Sequence, residues 1–380
     1  MIYDTYDFEV LRLCGLCRYI PTDLQERYDT PFFESKTVLN LQEYKLIKMQ
    51  NDGLSYKLTD KGRKLLAEMG YQFQSDARMN INRNGYKRKV DSAKFTVLLH
   101  LAGINVFCRN LRELEKEKAG YIVKTELYDK YGKKNLAGTR FLGLLKIGNV
   151  VYIPYYIESD DDWIMPKYEQ ETFMYLAKEL PSVKKVRIML VGETLEELSK
   201  NVFTHKRETE TETGRSCFNK ALEEFGRQTL WVPLNKEGVM QLNIMTICRY
   251  KDIVIAAMEG EIKRPECYSR SNGMYKNHPV TVLLDTNVKS IIPALKQAAE
   301  INDGQLPAVV VMCSYSKIIE KLLYRYNSPH CVIYKIEYEV LKNVYKEHIK
   351  EFEQTAYMKN GRLFSLKAPK HYLSEQNDII

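Results

Sequence analysis

Residues 30–70 limit the fold of this chain more than any other stretch. Thr30-Pro31 offers an N-cap followed by proline at a first helical position, where a missing N–H costs nothing. Val38, Leu41 and Tyr44 then recur at three-residue spacing, which leaves Ser35, Lys36, Thr37 and Asn40 to face outward. Leu46-Ile47-Lys48-Met49 and Leu54-Ser55-Tyr56-Lys57-Leu58 flank Asn51-Asp52-Gly53, a polar turn whose glycine can take positive φ. The pair reads as a hairpin. Thr59 can cap a further helix, with Leu65, Leu66 and Met69 on one face and Gly70 after it.

Helix, two short strands and helix are the elements of a winged helix-turn-helix, a module whose usual partner is the major groove of double-stranded DNA. On that reading Ser35, Lys36, Thr37 and Asn40 donate to phosphates or base edges, and Lys57, Lys61, Arg63 and Lys64 grip the backbone beside the wing. Glu34 and Glu43 act against phosphates, although a glutamate can accept from a cytosine amine. Further along, Arg83, Lys87, Arg88 and Lys89 are interleaved with asparagines and Gly85, as in a basic linker able to lie along phosphates. One copy should bind modestly, so a homodimer is expected to help.

At 380 residues the chain is too long for one ordinary core. Hydrophobic residues at 44% and charged residues at 28% are values of globular proteins, and no stretch has the length and apolarity of a membrane span. The start, Met1-Ile2-Tyr3-Asp4, lacks the basic and apolar run of a secretory signal, so a cytoplasmic location without membrane contact is expected. A net charge of +8 is mild for this length and suits a polyanion without requiring one. The closest cysteine pair, Cys14-Gly15-Leu16-Cys17, lies among Leu11, Leu13 and Leu16 and reads as helix core, since no second ligand pair follows at zinc spacing.

The expected organisation is α/β. Residues 1–72 form the winged helix-turn-helix, 73–90 the basic linker, 91–204 a first α/β unit, 217–356 a second, and 357–380 a polar tail that frays. In the first unit, Phe141-Leu142-Gly143-Leu144-Leu145 and residues 150–157 form a hairpin through Gly148-Asn149. A polar run at 205–216 marks a joint. Beyond it, apolar segments at 229–233, 240–247, 253–258, 280–284, 308–313 and 331–336 read as strands, with helices at 288–301, 315–326 and 337–355.

A helix, β-hairpin, helix and strand also resemble the restriction-endonuclease-like core, which holds Mg²⁺ with an Asp on one strand and an acid-x-Lys triplet on the next. Neither strand of the 141–157 hairpin carries an acid in its interior, and Asp160, Asp161 and Asp162 read as a solvated turn. Glu259-Gly260-Glu261-Ile262-Lys263 supplies an acid-x-Lys pattern, with Asp252 or Asp285 as the nearest further carboxylates. Leu283-Leu284-Asp285-Thr286-Asn287 imitates the first strand of a PIN-type nuclease, but Asp285 is accounted for as a helix cap. Phosphate-binding glycine loops do not occur. No catalytic residue, metal ligand or cofactor is expected.

The string Tyr56-Lys57-Leu58-Thr59-Asp60-Lys61-Gly62-Arg63, then Arg140-Phe141-Leu142-Gly143, then Trp231-Val232-Pro233-Leu234-Asn235-Lys236-Glu237-Gly238, resembles the replication-relaxation proteins of plasmids and conjugative elements of Gram-positive bacteria. The likeness spans residues 1–345. It implies DNA binding in plasmid replication, relaxation or conjugative transfer, with relaxase or replication proteins as partners and a nuclease-like fold that has lost its acids. Two other readings stay open: a metal-dependent nuclease using Glu259, Glu261 and Lys263, and a winged-helix transcription regulator whose α/β body senses a ligand.

Overall fold

The computed structural model describes residues 2–71, 73, 84–131, 136, 139–159, 163–164, 169, 171–172, 175–176, 179–203, 216–217, 229–247, 249–301, 305–344, 356–359 and 362–365. The chain is mixed α/β and divides into two compact units, residues 1–98 with 350–380, and residues 99–349. Among the described residues no helix is long and apolar enough to cross a membrane.

The first unit begins with strand β1 (Ile2–Asp4) and helix α1 (Thr5–Cys17), whose Val10, Leu11, Leu13 and Cys14 are buried. Strand β2 (Ile20–Pro21) and helix α2 (Leu24–Tyr28) follow. Thr30-Pro31 does not open the next α-helix, as the sequence suggested. Pro31–Phe33 make a short 3-10 turn in which the Thr30 hydroxyl accepts from the Phe32 N–H at 3.3 Å, and α3 (Ser35–Glu43) starts beyond it. Burial of Phe32 and Phe33 accounts for the extra turn, which sets two aromatic rings into the core before the helix begins. Strands β3 (Ile47–Met49) and β4 (Ser55–Leu58) pair antiparallel, and β4 lies between β2 and β3 in a three-stranded sheet. Helix α4 (Asp60–Glu68) comes next.

The expected linker at 73–90 is corrected at its second half. Helix α5 runs over Asn84–Leu101, and Tyr86, Val90, Ala93 and Val97 recur at helical spacing and are buried. Its first turns pack on the N-terminal elements. The Tyr86 ring meets Tyr19 edge-on with centroids 4.8 Å apart, its hydroxyl lies 2.7 Å from that of Ser55, and the Tyr28 hydroxyl donates to the Lys94 carbonyl at 2.8 Å. The basic residues around Lys87 hid this apolar stripe. The fraying expected of the tail is corrected at its start, because Ala356–Lys359 and Arg362–Ser365 are antiparallel strands and the first of them pairs with β1, while residues 366–380 lie outside the described residues.

The second unit is built on two sheets. After α6 (Leu111–Lys116), strand β5 (Ala119–Val123) leads into α7 (Lys124–Tyr131). The hairpin β6 (Gly143–Ile147) and β7 (Val150–Tyr156) is as expected, although β6 starts two residues later than its apolar run. Strands β8 (Trp163–Ile164) and β10 (Ser216–Cys217) pair with each other. Residues 169, 171–172 and 175–176 are helical. Strand β9 (Lys185–Gly192), helix α8 (Leu195–Phe203) and strand β11 (Thr229–Pro233) complete a five-stranded sheet in the order β11-β9-β7-β6-β5. Only β6 in it runs against the others. Strands β6, β7 and β11 are buried along almost their whole length, so this sheet is covered on both faces.

Two segments read as strands, 240–247 and 253–258, are helices: α9 (Lys236–Thr246) and α10 (Tyr250–Ala257). Asn235 explains the first, since its side chain accepts from the N–H groups of Glu237 and Gly238 at 3.0 and 3.1 Å and starts a helix where β-prone residues follow. Strands β12 (Gly273–Tyr275), β13 (His278–Val282), β14 (Ala308–Met312) and β15 (Val332–Ile336) form the second sheet in that order, with α11 (Val288–Glu300) and α12 (Ser316–Arg325) as crossovers and α13 (Tyr338–Val344) after it. Strand β12 is antiparallel and the rest are parallel. Glu261 adds a one-residue antiparallel bridge to Met274 at the outer edge of β12. With that bridge counted, the second sheet repeats the order of strand directions of the first. The expected joint at 205–216, apart from Ser216 in β10, and the 345–355 part of the last expected helix lie outside the described residues.

Both sheets share one core, and a polar knot ties them together. Thr286 sits just past β13 at φ 56° and is buried. Its hydroxyl accepts from the Trp231 N–H at 2.8 Å and donates to the Trp231 carbonyl at 3.0 Å, while Gln241 donates to that same carbonyl at 3.0 Å. Strand β11 is an edge, so these side chains stand where another strand would.

Candidate nucleic-acid interface

The first-unit residues singled out in the sequence are held by a clamp between the turn after α3 and the start of α4. Thr59 caps α4 by accepting from the Gly62 N–H at 3.1 Å, its own N–H donates to the Leu46 carbonyl at 2.9 Å, and its hydroxyl also reaches the Lys45 carbonyl. Gly62 approaches Leu46 so closely that a Cβ would lie 2.3 Å from the Leu46 carbonyl oxygen. The hairpin turn is fixed as well. Gly53 takes φ 70°, the Asp52 carboxylate accepts from the Leu54 N–H at 3.0 Å, and the Thr22 hydroxyl donates to the Gly53 carbonyl at 3.0 Å. Helix α3 and the hairpin therefore present their outer surfaces in a set relation.

On α3, Ser35 and Lys36 are exposed and Asn40 is half-buried at the flank. Thr37 is corrected: it is 5% exposed, on the inner side with Val38 and Leu41, and cannot reach a ligand. At 100° per residue Thr37 lies between Val38 and Leu41 on one side and Lys36 on the other, and the hydroxyl was read as polar enough to face out. Lys57 is half-buried; Lys61, Arg63 and Lys64 are exposed. Two of these serve the fold too. Lys61 donates to the Tyr44 carbonyl at 3.0 Å, and Arg63 donates to the Leu58 carbonyl at 3.3 Å and pairs with Asp60. The hydrogen bond from Arg63, with its charge, holds the Asp60 carboxyl below its usual range, and Lys48 and Lys64 add to the effect.

Sequence reasoning passed over several exposed residues here, Leu39, Lys45, Lys48, Met49 and Leu54 among them. Leu39 is apolar and so was not sought outside, although helical spacing opposes it to Leu41 and Val38. Between residues 34 and 68 the bases Lys36, Lys45, Lys48, Lys57, Lys61, Arg63 and Lys64 face the acids Glu34, Glu43, Asp52, Asp60 and Glu68, so the surface is weakly basic. Lys87 and Arg88 are exposed on α5, Lys89 is half-buried, and Arg83 lies outside the described residues.

The second unit holds a buried ionisable hub at Glu169. Glu169 is fully buried; its carboxylate accepts from the Arg140 N–H at 2.6 Å and from the Tyr155 hydroxyl at 2.7 Å. Burial raises its pKa to about 7, while Tyr155, Arg140 and Lys124 pull the other way. The hub joins the end of β7 to the entry into β6. Lys124, just past β5, donates to the nearby Thr139 carbonyl.

Other sequence candidates are not brought together. Glu259 and Glu261 are exposed, Glu259 at φ 59°, and the backbone of Glu261 bonds to Met274. The expected strand before them is helix α10, on which Asp252 pairs with Arg249 at 2.7 Å. Asp285 lies at the other end of β13, at a turn where it accepts from the Asn287 N–H at 3.3 Å. Asp160, Asp161 and Asp162 lie outside the described residues. Among the described residues no group of three His, Cys, Asp or Glu side chains could hold a metal ion. Cys14 and Cys17 are packed in the first unit, and burial raises both thiols.

No protein-family model, curated protein or solved structure matches this chain.

Proposed function

We propose that residues 1–72 are a winged helix-turn-helix that lays α3 in the major groove of duplex DNA, with the β3–β4 hairpin as its wing. What carries this reading is the outer face of α3. Lys36, Leu39 and Glu43 lie exposed opposite a buried stripe, Asn40 flanks them, and the Thr59 clamp ties the helix to the hairpin. The order α1, β2, α2, α3, β3, β4, with β4 central in the sheet, is the connectivity of that module and supports it. Lys48 and Lys64 add exposed charge for phosphates.

The second unit acts in this proposal as a non-catalytic body with restriction-endonuclease-like units. Its support is the strand order of the first sheet, one antiparallel strand in second place among otherwise parallel ones, which the second sheet repeats. Where a nuclease of that fold aims acids outward, between the start of β6 and the end of β7, Glu169 is turned inward onto Arg140 and Tyr155. With the sequence resemblance to replication-relaxation proteins, the proposed setting is the replication or transfer of a mobile element. A mobility-shift titration of the whole chain against duplex and single-stranded DNA tests the first step. Duplex-selective retardation is expected, and its absence up to protein concentrations that retard single strands removes the proposal.

A further inference from the structure

The centre of the exposed α3 face is apolar. Leu39 is 55% exposed, three residues after Lys36 and four before Glu43, with Asn40 beside it. Leu39 leaves apolar surface in water there, which burial against a bound partner would turn into affinity. The apolar feature of a B-DNA major groove is the thymine 5-methyl group, and the donors beside Leu39 match the edges around it, since asparagine reads adenine and lysine reads guanine or phosphate. Resting on the interface reading above, we propose that Leu39 packs on thymine methyl groups and so makes thymine at fixed positions a requirement of the duplex this chain selects.

Charge decides for DNA over an apolar protein surface. Lys36 and Glu43 stand on the same exposed side, and sealing Leu39 under an apolar partner would desolvate both, whereas a groove offers phosphates and base amines to them. Leu39 is more than half exposed and lies outside the buried residues of the core, so Leu39→Ala should fold normally.

The test starts from a pool of random-sequence duplexes enriched by the full chain. The enriched duplex is then made with deoxyuridine in place of thymidine, one position at a time, and binding is measured by fluorescence anisotropy for wild type, Leu39→Ala and Lys36→Ala. At particular thymines the loss of the methyl should weaken wild type about four-fold, the worth of one buried methylene-sized group. Leu39→Ala should bind both forms equally, and Lys36→Ala should lose affinity for both by the same factor. An enriched duplex indifferent to every substitution overturns the role of Leu39 and leaves the interface standing. A penalty that persists in Leu39→Ala, or a Leu39→Ala effect confined to self-association in sedimentation, also overturns it. Failure to bind or enrich any duplex removes the interface and this proposal together.

Discussion

Gly62 and Leu46 touch backbone to backbone: a side chain on Gly62 would put its first carbon 2.3 Å from the Leu46 carbonyl oxygen. That contact brings α4 against the turn that follows α3. Gly62→Ala gains about 1 kcal/mol in helix propensity, but the helix must move off a carbonyl that also accepts from Thr59. The clash should win. Urea unfolding should show a net loss of about 2 kcal/mol or more, in the range of overpacked substitutions, and a variant as stable as wild type would mean that the contact is looser than described.

Thr59 acts on the same joint through its hydroxyl, which caps α4 and bonds to the carbonyls of Lys45 and Leu46. Thr59→Ala should lose about 1 kcal/mol or somewhat more, and Thr59→Ser should recover most of it. Equal losses in the two variants would assign the effect to the methyl group instead of the cap.

Glu169 makes stability depend on pH. Its carboxyl is raised by burial from 4.5 to about 7, so between those values the folded chain holds a proton that the unfolded chain has released. Stability from this group is therefore complete below pH 4.5 and is lost as pH rises through about 7, by about 3 kcal/mol if no other group compensates. Glu169→Gln should flatten this part of a pH series of urea midpoints. An unchanged slope in that variant would clear Glu169 of responsibility.

Thr286 holds a left-handed backbone conformation that a β-branched residue adopts only at a cost, and its hydroxyl serves both backbone groups of Trp231. Thr286→Val keeps the shape and takes the acceptor from the buried Trp231 N–H, while Gln241 still serves the carbonyl, and should cost about 2 kcal/mol. Thr286→Ser keeps the bonds and drops the branch, so it should match wild type or exceed it. Equal midpoints for the valine and serine variants would contradict the bonding.

The elements best read from sequence are those with short-range punctuation. The Asn51-Asp52-Gly53 turn, the Thr59 cap and the strands at 280–284, 308–313 and 331–336 follow from turn residues, a capping hydroxyl and continuous apolar runs between helices. Sequence reading failed where two periods compete. The runs at 240–247 and 253–258 are rich enough in β-branched or apolar residues for a strand, yet the Asn235 cap and tertiary burial make them helices. Tyr86, Val90 and Ala93 were concealed by the lysines and arginines between them, and Thr37 by its hydroxyl. Glu169 carried no local signal at all, because its partners Arg140 and Tyr155 lie 29 and 14 residues away.

The central claim, that α3 contacts a DNA duplex, is tested most directly by the salt dependence of binding for wild type and for Lys36→Ala with Asn40→Ala. Each phosphate neutralised contributes about 0.9 to the slope of log affinity against log salt. The double variant should bind duplex more weakly and lose about one unit of that slope. The same affinity and the same slope in both proteins would contradict the claim.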